Sequence, residues 1–109
     1  MPVKEDKSAD ETTGLGVTSI IGDKRDAVLR LAAKNGVSNV RVFGSVARGE
    51  ATPNSDIDFL VDGLENAPWG GGRLLVELEA LLGRHVDLVS KGDLHQIIRD
   101  QILDEAIPL

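Results

Sequence analysis

Three aspartates are the residues in this chain best placed to do chemistry. Asp56 and Asp58 stand two apart in a stretch whose alternation reads as a β-strand, so both carboxylates leave the same face and can converge on cations in front of it. Asp87 interrupts the apolar run His85-Val86-Asp87-Leu88-Val89, where a carboxylate is costly unless it is paired or bound to a metal. Three convergent carboxylates are what a two-magnesium site needs, because hard oxygen ligands leave coordination positions for water and substrate phosphates. Upstream, Gly44 closes a strand and Ser45 opens a helical turn, which offers backbone N–H groups and a hydroxyl to an anion. A phosphate cradle beside a metal-binding carboxylate set implies attack on a nucleotide phosphorus. Arg48, one turn beyond Ser45, has two readings: a phosphate or partner contact, or a salt bridge to Glu50 or another carboxylate.

The elements that must hold these residues follow from periodicity. Thr18 to Asn35 repeats apolar residues at Ile21, Val28, Leu31 and Ala32 and stops at Asn35-Gly36, which predicts an amphipathic helix. Val37 to Phe43 is rich in β-branched residues and predicts a strand, with Ser45 to Glu50 a helical turn or two and residues 51–55 a loop. Asp56 to Asp62 predicts a second strand, with Ile57, Phe59 and Val61 on the face opposite Asp56, Asp58 and Leu60. A loop over Gly63 to Gly72 leads to a helix over Arg73 to Gly83, whose leucines form a buried stripe. His85 to Val89 predicts a third strand. Asp93 then caps a last helix with Leu94, Ile97, Ile98, Ile102 and Leu103 on one apolar face, docked on the sheet or turned toward a partner or second copy. The expected fold is α/β (α+β): a small mixed sheet of three or four strands with helices packed on it. Residues 1–17 lack periodicity and read as a flexible arm, leaving 18–109 as the domain.

Gly44-Ser45, ten intervening residues, then Asp56-Ile57-Asp58 resembles the signature of the DNA polymerase β-like nucleotidyltransferases. The longer runs Val42 to Glu50, Ser55 to Val61 and Val86 to Val89 resemble the minimal, MNT-type branch, and the similarity spans about Ile20 to Leu109. That resemblance implies a nucleotidyltransferase fold and a type VII-like antitoxin of a HEPN-domain RNase toxin, moving AMP from ATP to a tyrosine hydroxyl of its partner. It also implies roles. Asp56 and Asp58 would bind both magnesium ions, Asp87 would bind one and help activate the acceptor, and Gly44-Ser45 would hold the triphosphate. Two features depart from the pattern: His85 stands where relatives often carry a basic residue, and Gly70-Gly71-Gly72 is a longer glycine run than usual. The rival readings are an antitoxin that neutralises by binding alone, and a nucleotidyltransferase for a small molecule.

Composition narrows the field. With 109 residues, 41% hydrophobic and 28% charged, the chain has room for one domain, so the acceptor is expected to be, or to be bound by, a partner. The absence of cysteine removes disulfides, thiolate zinc sites and cysteine nucleophiles. A net charge of −6 argues against extended nucleic-acid binding. No secretory signal or membrane-spanning run is visible, which makes a cytoplasmic protein the expectation. The same aspartates do not read as an EF-hand, since Leu60 would fall at a ligand position, and no Gly-Lys-Ser/Thr marks a Walker loop. His85 and His95 read as a surface and a helix-face residue, or as nucleotide or partner contacts. Trp69 reads as a packing anchor, a partner contact or a stacking platform.

Overall fold

The structure, a computed structural model, describes residues 14–109. Most of the expected arm, residues 1–17, lies outside them. Of its last part, Leu15 exchanges backbone hydrogen bonds of 2.8 and 3.0 Å with Ala51, and Leu15 and Val17 pack against the core.

The helix expected over Thr18 to Asn35 is broken. A single turn, α1 (Val17–Ile20), gives way to a 3₁₀ turn at Gly22–Lys24 before α2 (Arg25–Lys34) begins. The cause is Gly22, whose φ of +49° lies in the left-handed region and cannot continue a right-handed helix. Ile21, at the break, is buried and anchors the bend. α2 ends at Asn35, a buried residue whose amide donates to the Leu31 carbonyl at 2.8 Å and to Glu77 at 2.9 Å.

Among the described residues four strands form the sheet: β1 (Ser38–Phe43), β2 (Ile57–Asp62), β3 (Val86–Ser90) and β4 (Ile107–Pro108), in the order β3-β2-β1-β4. β1 is antiparallel to both of its neighbours, whereas β2 and β3 are parallel. The parallel pair needs a crossover, supplied by α4 (Gly72–Leu82). A short helix, α3 (Gly44–Ala47), follows β1 directly. The sequence reading did not name β4, because two residues, one of them proline, carry no alternation. Proline is tolerated there because β4 is an edge strand.

The alternation of β2 builds the core. Ile57, Phe59 and Val61 are buried on one face, with Val28 and Ala32 of α2 and Leu74, Leu78 and Leu82 of α4 in the same cluster. Leu60, on the opposite face with Asp58, is also fully buried but stands apart from that cluster. The last helix, α5 (Gln96–Glu105), starts later than expected. None of its residues is buried, and Ile97 and Ile98 are 75% and 50% exposed, so its apolar face does not dock wholly on the sheet. Its N-cap is His95, while Asp93 lies in a preceding 3₁₀ turn. Among the described residues no helix is long and apolar enough to cross a membrane.

Candidate active site

Register places the acidic residues. Phe43 pairs with Asp58 across β1 and β2, and Asp58 pairs with Asp87 across β2 and β3. Paired residues share a face, so the two aspartates stand side by side opposite the core. Asp58 is half-buried, and its carboxyl is pushed up to about 6 by that burial, by a hydrogen bond with Asp87, and by the negative charges of Asp87 and Asp56; nearby Arg48 opposes the shift.

The expected trio is less closely gathered. Among the described residues no three acidic or histidine side chains stand close enough to hold a metal ion between them. Asp56 precedes the first residue of β2 and is exposed, so strand alternation does not aim it at the Asp58–Asp87 pair. It is near enough for its charge to be felt at Asp58. The loop leading to it is held by Arg84, whose guanidinium donates to the carbonyls of Thr52 and Ser55 at 3.2 and 3.0 Å.

Gly44 has to be glycine for two reasons. Its φ is +74°, and a Cβ on it would collide with the Asp58 carboxylate. The bare Cα lets the β1–α3 turn lie against Asp58. Ser45 follows as the second residue of α3 and is half-buried. Arg48, just past the end of α3, binds Glu50 at 2.8 Å and Glu105 at 3.1 Å, so the salt bridge among its readings is present. Glu50 first and Glu105 second raise its pKa above the usual arginine value.

Glu105 was missed by the sequence reading. Its Oε2 accepts a 2.7 Å hydrogen bond from the Gly44 N–H, across 61 positions of chain. No local pattern announces such a contact. Glu79 was missed too: it accepts from the Val86 N–H at 3.0 Å and fixes the start of β3, which lowers its pKa. His85 lies 3.4 Å from the same carboxylate with its side chain almost fully exposed, and His95 stands at the N-terminal boundary of α5, so neither histidine joins the aspartates. Trp69 is 84% exposed with a left-handed φ of +56°. It borders an open groove of about 350 Å³ that Asp87 also lines, together with Leu64, Gly70, Leu75 and Leu88.

The donor chemistry fits a hard divalent cation. Asp58 and Asp87 offer only oxygen, and their mutual repulsion is what a cation relieves. Asp56 would complete the set.

Comparison with known proteins gives the family. Residues 24–109 match the family described as nucleotidyltransferase domain. A solved structure of a candidate minimal nucleotidyltransferase is 52% identical and superposes with a TM-score of 0.71, covering 79% of this chain and 89% of the other. The chain belongs to the minimal nucleotidyltransferases. Among curated relatives of this nucleotidyltransferase, the protein adenylyltransferase MntA of Thermococcus cleftensis is 44% identical over 79 residues, 71% of this chain and 79% of the relative. A Methanocaldococcus jannaschii protein described as a candidate protein adenylyltransferase is 36% identical over 94 residues, 80% of this chain and 95% of the other. The fold is also that of a toxin–antitoxin crystal structure with AMP-PNP, 25% identical with a TM-score of 0.63, covering 76% of this chain and 69% of the other.

Proposed function

We propose that this nucleotidyltransferase is a protein adenylyltransferase and the antitoxin of a toxin–antitoxin pair, moving AMP from ATP to a tyrosine hydroxyl of a HEPN-domain RNase toxin in the cytoplasm. The observation that carries the reading is the Asp58–Asp87 pair against the bare Cα of Gly44, at the positions of the nucleotidyltransferase signature. Relatives named protein adenylyltransferase and a neighbour crystallised as a toxin–antitoxin with AMP-PNP support the protein acceptor and the adenine nucleotide.

In the proposed reaction, the Gly44 N–H and Ser45 hydroxyl bind phosphate oxygens of ATP. The tyrosine oxygen attacks the α-phosphorus, its proton passes to Asp87, and the bond to the β-phosphate oxygen breaks to release pyrophosphate. Magnesium, held by Asp56, Asp58 and Asp87, would supply positive charge to the phosphates as negative charge builds on them. Asp87 is given the proton-accepting role because it lines the Trp69 groove, through which an acceptor would approach, and adjoins Asp58, which would face the phosphates.

The test is the partner's mass. Toxin co-expressed with the wild-type chain gains the mass of AMP, and Asp58→Ala or Asp56→Ala lowers that transfer at least ~10²-fold, as loss of one charge-stabilising group does elsewhere. Equal modification by wild type and both variants ends the proposal. Neutralisation without added mass would mean that the protein acts by covering its partner.

A further inference from the structure

The sequence motifs do not account for Glu105. Gly44, which the proposed reaction gives to the nucleotide, and Arg48, one of whose two readings is a phosphate contact, are both bound to it. Its Oε2 accepts from the Gly44 N–H at 2.7 Å, and Arg48 Nη1 reaches its two oxygens at 3.1 and 3.3 Å. A carboxylate bound by a backbone N–H and a guanidinium is held as a phosphate oxygen pair would be, since both donors recognise planar or tetrahedral oxyanions. We propose that the Glu105 carboxylate is a built-in stand-in for a nucleotide phosphate, occupying Gly44 and Arg48 until a triphosphate displaces it. The inference rests on the nucleotidyl-transfer reading of this site and adds a residue that sets its affinity.

The fold delivers this carboxylate to one place. Glu105 is the last residue of α5, and the chain turns there into β4, which pairs with β1, the strand that ends at Gly44. β4 is pinned by the Leu109 N–H on the Val40 carbonyl at 2.9 Å and by Arg25 on the Leu109 carbonyl. The Glu105 side chain is therefore presented to the β1–α3 turn by the sheet itself. It is also placed to leave. Its side chain keeps 29% of its surface in solvent, and Asp58 lies against the same glycine, so two acids share the neighbourhood of one arginine. An incoming triphosphate competes for the same donors, and its affinity is lowered by the fraction of molecules in which Glu105 holds them.

The experiment compares ATP binding, with magnesium, by calorimetry for the wild type, Glu105→Gln and Glu50→Gln. Glutamine retains the length and an acceptor for the Gly44 N–H but no charge, and a thermal melt of each variant checks its folding. Glu50→Gln removes the same charge from Arg48 without touching Gly44, so it measures the general effect of one fewer negative charge. The expected result is that Glu105→Gln tightens ATP about tenfold and lowers the KM for ATP with kcat little changed, while Glu50→Gln changes affinity less than threefold. ¹⁵N spectra of the wild type should show the Gly44 and Ala106 amides moving together on saturation with ATP. Equal affinity in all three proteins, or weaker binding by Glu105→Gln, overturns the inference while leaving nucleotidyl transfer intact. No ATP binding by any of them overturns both.

Discussion

Asp58→Asn should stabilise the metal-free protein while it destroys transfer. In the fold the Asp58 carboxyl is raised from 3.8 to about 6, chiefly by burial and then by Asp87, so the charged form is disfavoured in the native state relative to the unfolded chain. Between those two pH values the native state binds more protons than the unfolded state, and stability falls as pH rises through the window. Below pH ~4 both states are protonated and the penalty is absent; above pH ~6 to 7 it is complete. A shift of about two units corresponds to a ceiling of ~3 kcal/mol, which partial exposure to solvent reduces to about 1–2 kcal/mol. For a domain of this size that is a gain in Tm of roughly 5–10 °C for the asparagine variant at pH 7.5 in EDTA. The assay is a pair of urea or thermal unfolding series, wild type against variant, at pH 4 and pH 7.5. The expected stabilisation is large at pH 7.5 and near zero at pH 4. A gain of equal size at both values would assign the effect to packing, and a loss at pH 7.5 would refute the account of Asp58 as a strained carboxylate.

Other outcomes follow from the same geometry. Magnesium at ten times its dissociation constant should stabilise the wild type by ~1.4 kcal/mol and Asp58→Asn far less, as read by a melt with and without the ion. Gly44→Ala forces a left-handed alanine against the Asp58 carboxylate and should lower stability by about 1–3 kcal/mol with loss of nucleotide binding, measured by denaturant titration and calorimetry. Trp69→Gly relieves the left-handed φ without losing buried surface, so stability should hold or rise by up to ~1 kcal/mol. If the groove beside Asp87 receives the acceptor, the same variant transfers AMP more slowly at unchanged ATP affinity. Phe59→Ala opens the core and should cost about 3–5 kcal/mol in urea unfolding.

Much of this architecture was legible because it depends on neighbours in sequence. The alternation of β2 placed Ile57, Phe59 and Val61 inward, and the leucine stripe of α4 placed Leu74, Leu78 and Leu82 against them. The break in the first helix had a local signal as well, in Gly22, but a single glycine inside a good periodic pattern was outweighed by the pattern. What escaped depends on partners far away in sequence. β4 is a strand only because β1 offers it an edge, and the apolar residues of α5 show nothing about how shallowly the helix sits on the fold. The aspartates fall between these cases. Asp58 and Asp87 meet because parallel register aligns them, whereas Asp56 stands one residue outside the ladder, where the rule that equates spacing with direction no longer holds.

The difference in placement gives the aspartates different freedoms. Asp58 is fixed between two strands and bears the electrostatic cost of its neighbours as long as no cation is present. Asp56, exposed at the mouth of the strand on a loop held by Arg84, is free of that constraint and can turn toward a cation when one arrives. On this view the fold stores the repulsion in its rigid pair and leaves the closing ligand exposed. If magnesium binds as proposed, it relieves the repulsion at Asp58 and fixes the Asp56 side chain in one step. Arg84→Ala, which loosens that loop without touching a carboxylate, should therefore weaken magnesium binding through a larger entropic cost while leaving the pH dependence assigned to Asp58 unchanged. Calorimetric titration with magnesium separates the two contributions. An Arg84→Ala variant with wild-type affinity would show that Asp56 needs no support from its loop.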